Sequence, residues 1–279
     1  MKELGVLVIH GMGDETPDFD EGIRSKLEAK LGAATFARIA WQPVHWAPEV
    51  APAQRDMWDA VRVDADLDWK PVRRFFLDYF ADALAYQRYG YRREADSTYE
   101  RIQDVVHSAL VDLDAKLGPD RPLVVLAHSL GAYVITSYTW DRQRWDASTG
   151  VDPRGTSGFT RMEHLAGIVT FGCNLPFFAF GAKVPKTIKF PGAALPTHLA
   201  ATARWLNFYD ADDVLGWPIK NVYVEPQETI DLITDYQVNV GIPLLQSSNP
   251  LSHLGYWKDN DMVGPVAEYL QSVLDAVPA

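Results

Sequence analysis

The sequence predicts an α/β fold: a mostly parallel sheet flanked by helices, with a helical insertion ahead of the strand that opens at Leu123. Three observations carry this expectation. Residues 4–9, 123–127 and 168–171 are short apolar runs rich in Val and Ile, the pattern of strands covered on both faces. Helix-periodic segments lie between such runs at 19–31, 98–117 and 131–140, and strands alternating with helices build parallel sheets. A chain of 279 residues with 47% hydrophobic and 23% charged residues is globular in composition. At that length one domain, spanning 1–279, buries roughly three quarters of its unfolded surface.

The elements follow in order. The first strand, 4–9, runs into His10-Gly11-Met12-Gly13-Asp14, where two glycines mark a tight loop. A helix over 19–31 precedes a further strand at 36–41. Residues 47–97 fit no strand and form the longest departure from the alternation. Within them Phe75, Phe76, Tyr79, Phe80, Ala83 and Leu84 share one helical face, while Arg73, Arg74, Asp78 and Asp82 point elsewhere. Apolar stripes are usually core, so this helix is expected to pack on the domain body; the functional alternative is a lid or a cleft wall. A helix over 98–117, the strand at 123–127, a helix over 131–140 and the strand at 168–171 come next. Gly, Pro and Phe then crowd the irregular stretch 174–200, with Phe177, Phe178 and Phe180 placed to line an apolar pocket. Strands at 204–209 and 236–240 and a closing helix over 264–277 complete the chain.

Charge and composition exclude several function classes. The formal net charge of -11 argues against a nucleic-acid partner, because phosphate backbones are bound by clustered Lys and Arg. The lone Cys173 has no second cysteine to pair with, and no export signal opens the sequence, so a cytoplasmic location is expected. No stretch approaches the roughly 18 consecutive apolar residues a spanning helix needs.

Ala127-His128-Ser129-Leu130-Gly131 follows a buried strand and opens a helical pattern. A serine on so sharp a strand-to-helix turn adopts a strained backbone, and the positions two before and two after it must be small because strand and helix approach closely there. Ala127 and Gly131 meet that demand. Such a turn pushes the serine oxygen out of the sheet and aims the Leu130 amide at the place where charge would develop on a carbonyl oxygen. Ser129 is therefore the candidate nucleophile.

With these residues the chain resembles the α/β-hydrolase superfamily, in its serine esterase and lipase-like branch; the one departure is Ala127 in place of the first glycine of the G-x-S-x-G elbow. The resemblance covers residues 4 to about 276 in outline, although 47–97 and 174–200 carry no family motif. Because the sequence opens on the strand bearing the glycine loop, it is similar to the smaller lipase and cutinase-like forms. The resemblance implies that the loop after the first strand supplies the second oxyanion donor, and the Met12 amide is the candidate, with Gly11 and Gly13 permitting its orientation. A dinucleotide fingerprint would need glycine at position 16, where Thr16 stands. The family order of nucleophile, acid and then histidine points to His253 as the base, after the last strand and before the closing helix. His164 and His198 precede the acid candidates, while His10 and His128 read as structural neighbours. Asp210, Asp212 and Asp213 follow the strand at 204–209. Asp213, followed by aliphatic residues and a turn, matches the family pattern best, with Asp212 and then Asp210 as alternative acids. A calcium loop starting at Asp210 would want glycine where Leu215 stands.

The implied chemistry is hydrolysis of a carboxylic ester or thioester through an acyl-enzyme on Ser129, with no metal and no organic cofactor. Acyl transfer, peptidase or lyase chemistry on the same triad, and a non-catalytic binding module on the same fold, are the alternatives. Twelve Phe, twelve Tyr and nine Trp favour a small-molecule substrate with an apolar acyl or alkyl group. Oligomeric state is not encoded in any motif.

Overall fold

A computed structural model describes residues 1–279 apart from 14, 64, 87–96, 146–151, 181, 241–252, 254 and 279, and apart from the side chains of 71, 75 and 79. Asp14, Ser252, Leu254 and the side chains of Phe75 and Tyr79 therefore lie outside the described residues, as do parts of the two irregular stretches.

In chain order the elements are β1 (Leu4–Ile9), α1 (Glu21–Leu31), the short α2 (Ala33–Phe36), β2 (Ile39–Val44), α3 (Ala51–Ala60), α4 (Lys70–Ala85), α5 (Thr98–Asp114), β3 (Leu123–His128) and α6 (Leu130–Gln143). There follow β4 (Leu165–Phe171), the short helices α7 (Leu175–Ala179) and α8 (Thr197–Ala200), β5 (Arg204–Asp210), the short α9 (Gln227–Ile230), β6 (Ile233–Val238) and α10 (Asn260–Ala276). The six strands form one sheet in the order β2-β1-β3-β4-β5-β6, and every pairing is parallel.

The burial of the strands explains their composition. Every residue of β1, β3 and β4 is buried, so these central strands carry no polar alternation. Leu4, Val6, Val8, Val124 and Leu126 pack on one side with Ile23 of α1 and Val266 and Leu270 of α10. Leu7, Ile9, Val125 and Ala127 pack on the other with Ile102 and Val106 of α5 and Val134 of α6. The two-residue period of a strand sorts each run between these two cores. Pro43 falls in β2, where one side of the strand has no ladder partner to miss its N–H.

Some boundaries differ from the sequence reading. Phe36 ends the helical turn α2 and is buried there, so β2 starts at Ile39 rather than 36. The edge strand β6 begins at Ile233; only Ile233 of it is buried, and a strand so open to solvent tolerates Thr234 and Asp235. Helix α10 begins at Asn260, where the Asp259 side chain caps the Asp261 amide.

The expectation for the apolar stripe of 47–97 is corrected. Among the described side chains of α4 Asp82 is buried, while Phe76, Phe80 and Leu84 are 45%, 55% and 57% exposed. The carboxylate turns inward because it finds buried donors there, as shown below. Ala83, Ala85 and the buried Tyr86 attach the end of the helix to the core. Among the described residues no helix is long and apolar enough to cross a membrane.

The first turn of α6 lies hard against the end of β1. A Cβ at Gly131 would come within 2.4 Å of the His10 carbonyl oxygen and 2.9 Å of the Ile9 carbonyl oxygen, both rigid backbone. Gly131→Ala is accordingly expected to lower unfolding free energy by about 1–3 kcal/mol, the usual cost of overpacking. Denaturant titration checks this, and a change below about 0.5 kcal/mol, the size of an ordinary surface substitution, would show that the contact is relaxed at no cost.

Candidate active site

Ser129 sits alone between β3 and α6, with φ 49° and ψ −121°. That is the left-handed half of backbone space, which costs a residue with a Cβ about 1–3 kcal/mol and persists only where the surroundings impose it. Three contacts impose it here. The Ser129 amide donates to the Phe171 carbonyl at 3.0 Å, Gly131 admits the His10 carbonyl, and Gly11 leaves no room for a side chain, since a Cβ there would lie 2.8 Å from that of Ser129.

The bend places the Ser129 hydroxyl 2.6 Å from His253 Nε2 across 124 residues of sequence. On the other side of the ring, His253 Nδ1 donates to Asp213 Oδ2 at 2.8 Å. All three side chains are buried. With Nδ1 donating, Nε2 is the ring's acceptor, so the serine O–H donates to it. The His253 backbone is itself held, because His128 Nε2 donates to its carbonyl at 2.9 Å. Burial, with His253 close by, pushes His128 down to about 3, so it serves as a neutral donor.

Of the three aspartates, only Asp213 meets the imidazole. Its Oδ1 accepts from the Leu215 amide at 2.9 Å, and its Oδ2 accepts from both His253 and the Tyr256 hydroxyl, the latter at 3.0 Å. Burial alone would raise this carboxyl; the hydrogen bonds from His253, the Leu215 amide and the Tyr256 hydroxyl outweigh it and hold Asp213 below the usual range. Asp210 is occupied otherwise, accepting from the amides of Asp212 and Val240. Asp212 is exposed.

The loop after β1 is clamped. His10 Nε2 accepts from the Trp46 and Ala47 amides at 3.0 and 3.2 Å, and its Nδ1 donates to the Gly11 carbonyl at 2.7 Å. Burial depresses the ring to about 3, which keeps it neutral in this tautomer. The Gly11 carbonyl and the Met12 amide belong to one planar peptide, so holding the first directs the second the opposite way. Among the described residues neither the Met12 nor the Leu130 amide has an acceptor. The Met12 side chain packs on Leu215. Met12 follows β1 and Leu215 follows β5, so this contact crosses above the ends of β3 and β4, where Ser129 lies.

Two contributors escape a reading of the sequence. Tyr256 stands in the His253 motif, but nothing in the motif says that its hydroxyl will brace Asp213 while accepting from the Asp210 amide at 2.9 Å. Helical periodicity points Asp82 away from the apolar face, yet its carboxylate accepts from the Gly13 amide at 2.9 Å and from the Gln54 side chain. No local signal marks a partner 69 residues away. The segment 174–200 does line an apolar cavity of about 420 Å³ beside α6, through Leu175, Phe178 and Ile188 together with Tyr133 and Trp140. Phe177 and Phe180 instead point outward, at 48% and 92% exposed. Among the described residues no group of three metal-ligating side chains gathers.

Burial, reinforced by Asp78, pushes the Asp82 carboxyl up to about 7 against the pull of the Gly13 amide and Arg74. A carboxyl raised on folding favours the fold at low pH, and that contribution is lost as pH rises from the unfolded value near 4 through about 7. The melting temperature of Asp82→Asn minus that of the wild type is therefore expected to grow between pH 5 and pH 8.5, and a difference that stays flat would contradict the buried, perturbed carboxyl. No family model matches the chain, and no curated protein matches it either.

Proposed function

We propose that this chain is a serine hydrolase of the α/β-hydrolase type that cleaves a carboxylic ester or thioester through an acyl-enzyme on Ser129. The observation that carries the reading is the unbroken hydrogen-bonded line from Asp213 through His253 to a serine oxygen on a strained turn. A hydroxyl needs a base to be nucleophilic near neutral pH, and an imidazole needs a carboxylate to fix its tautomer and to stabilise the imidazolium that forms during attack. Support from the scaffold comes from the parallel sheet and from the order of the three residues along the chain, each after a strand.

In the proposed reaction the Ser129 oxygen attacks the acyl carbon as its proton passes to His253 Nε2. The Met12 and Leu130 amides, without acceptors among the described residues, take up the negative charge on the former carbonyl oxygen. His253 then gives the proton to the leaving oxygen or sulfur. Water adds to the acyl-enzyme with His253 again as base, releasing the acid and restoring the serine. Asp213 stays ionised throughout and steadies the ring.

An apolar acyl or alkyl group suits the surroundings. Exposed Val214 and Trp217 follow β5 and exposed Phe177 and Phe180 follow β4, on the same edge of the sheet as Ser129. The cavity beside α6 begins at Tyr133, one helical turn from the nucleophile. Ser129 is buried, and the Met12–Leu215 contact crosses above the strand ends where it lies, so in this reading entry calls for these two side chains to part. The lone, buried Cys173 fits the reducing cytoplasm proposed for the chain.

A panel of 4-nitrophenyl esters of graded acyl length, with and without detergent micelles, tests the reading. Wild-type turnover is expected to vanish in Ser129→Ala, and Asp213→Asn to lower kcat by about 10⁴-fold. Ester turnover that survives in Ser129→Ala refutes the assignment. Leu215→Ala is expected to raise kcat/KM for the bulkier esters relative to the acetate; an unchanged ratio would show that the apolar bridge does not govern entry.

A further inference from the structure

We propose that Asp82 is a positioning residue for the reaction: from the insertion helix α4, its carboxylate fixes the peptide that follows Met12 and so holds the Met12 amide on the developing oxyanion. This rests on the hydrolase reading above and extends it to a residue outside the triad and the oxyanion donors.

A residue's orientation is set when the planes on either side of it are held, because only φ and ψ remain between them. The plane before Met12 is held by His10, whose Nδ1 donates to the Gly11 carbonyl. The plane after Met12 contains the Gly13 N–H, and Asp82 Oδ2 accepts from it at 2.9 Å. His10 belongs to the sheet end that carries the loop; Asp82 is brought in from a helix of the insertion between β2 and α5.

The surroundings make this contact specific. Asp82 is fully buried, and its second oxygen is taken by Gln54 of α3, so both carboxylate oxygens are committed. Burying a carboxylate is costly unless strong donors meet it, and such a group is kept where its geometry matters. Among the described stripe residues of the helix that carries it, Phe76, Phe80 and Leu84 are substantially exposed, while Asp82 makes a buried polar contact. Among the described residues, Asp78 and Arg74 on its own helix are the charged groups that act on it.

The test compares wild type, Asp82→Ala, Asp82→Asn and Ser129→Ala on 4-nitrophenyl butyrate, with active sites counted by fluorophosphonate titration so that unfolded protein does not enter kcat. Asp82→Ala is expected to lose about 10- to 100-fold in kcat per titrated site, a fraction of what deletion of an oxyanion donor costs, with KM within about threefold. Asp82→Asn keeps an oxygen that accepts from Gly13 and is expected to recover most of the loss. A residue that merely supports the fold would lower the titrated fraction and the melting temperature while leaving kcat per site unchanged, and that result overturns the proposal. Should Asp82→Ala not fold, Asp82→Glu decides: its carboxylate is displaced by one methylene, so a wild-type kcat per site overturns the proposal and a reduced kcat with unchanged KM supports it. The two readings fail separately. An inert, unlabelled wild-type protein sinks the hydrolase assignment itself, whereas an active, labelled wild type with an equally active Asp82→Ala sinks only the role of Asp82.

Discussion

Everything at the candidate site depends on one steric constraint, the close approach of the first turn of α6 to the end of β1. With His10 O at 2.4 Å from where a side chain at 131 would begin, helix and strand are nearer than any residue but glycine allows. That approach leaves the chain no room for a gradual turn between β3 and α6, and Ser129 absorbs the bend at φ 49°. The strain is local and is held by the packed strands around it, which is where a fold can sustain such a cost. Its consequence is chemical: the serine oxygen leaves the line of the sheet and meets an imidazole that arrives from the other end of the sequence.

The remaining parts are supplied by the parallel topology. Because all six strands run the same way, the segments after β1, β3, β4 and β5 emerge at one edge, and the loop of Gly11 to Gly13, Ser129, Cys173 to Phe180 and the loop of Asp213 are neighbours despite their separation in sequence. Burial then sorts the ionisable groups. His10 and His128 are held neutral as hydrogen-bond partners of the backbone, so neither competes for the serine proton, while Asp213 keeps its charge because three donors converge on it.

Much of this was legible in the sequence, and the reasons differ by element. Strands buried on both faces announce themselves as apolar runs, so β1, β3 and β4 were readable, as was the sharp strand-to-helix turn at Ser129, whose small neighbours are demanded by geometry. The alternatives among Asp210, Asp212 and Asp213 separated only in three dimensions, where Asp210 spends its oxygens on the Asp212 and Val240 amides and Asp212 faces solvent. The helix at Lys70–Ala85 misled, because periodicity reports which residues share a face and not which face is covered. Asp82 and Tyr256 act through partners tens of residues away or more, and no local pattern encodes such a pairing.

If Ser129 is an activated nucleophile, it is open to covalent capture. Incubation of the wild-type protein with a fluorophosphonate, followed by digestion and mass spectrometry, should yield a single phosphonyl adduct on the peptide bearing Ser129, formed at a rate that falls when His253 is replaced. A protein that stays unmodified at saturating reagent, or that carries the adduct on another side chain, would contradict the account.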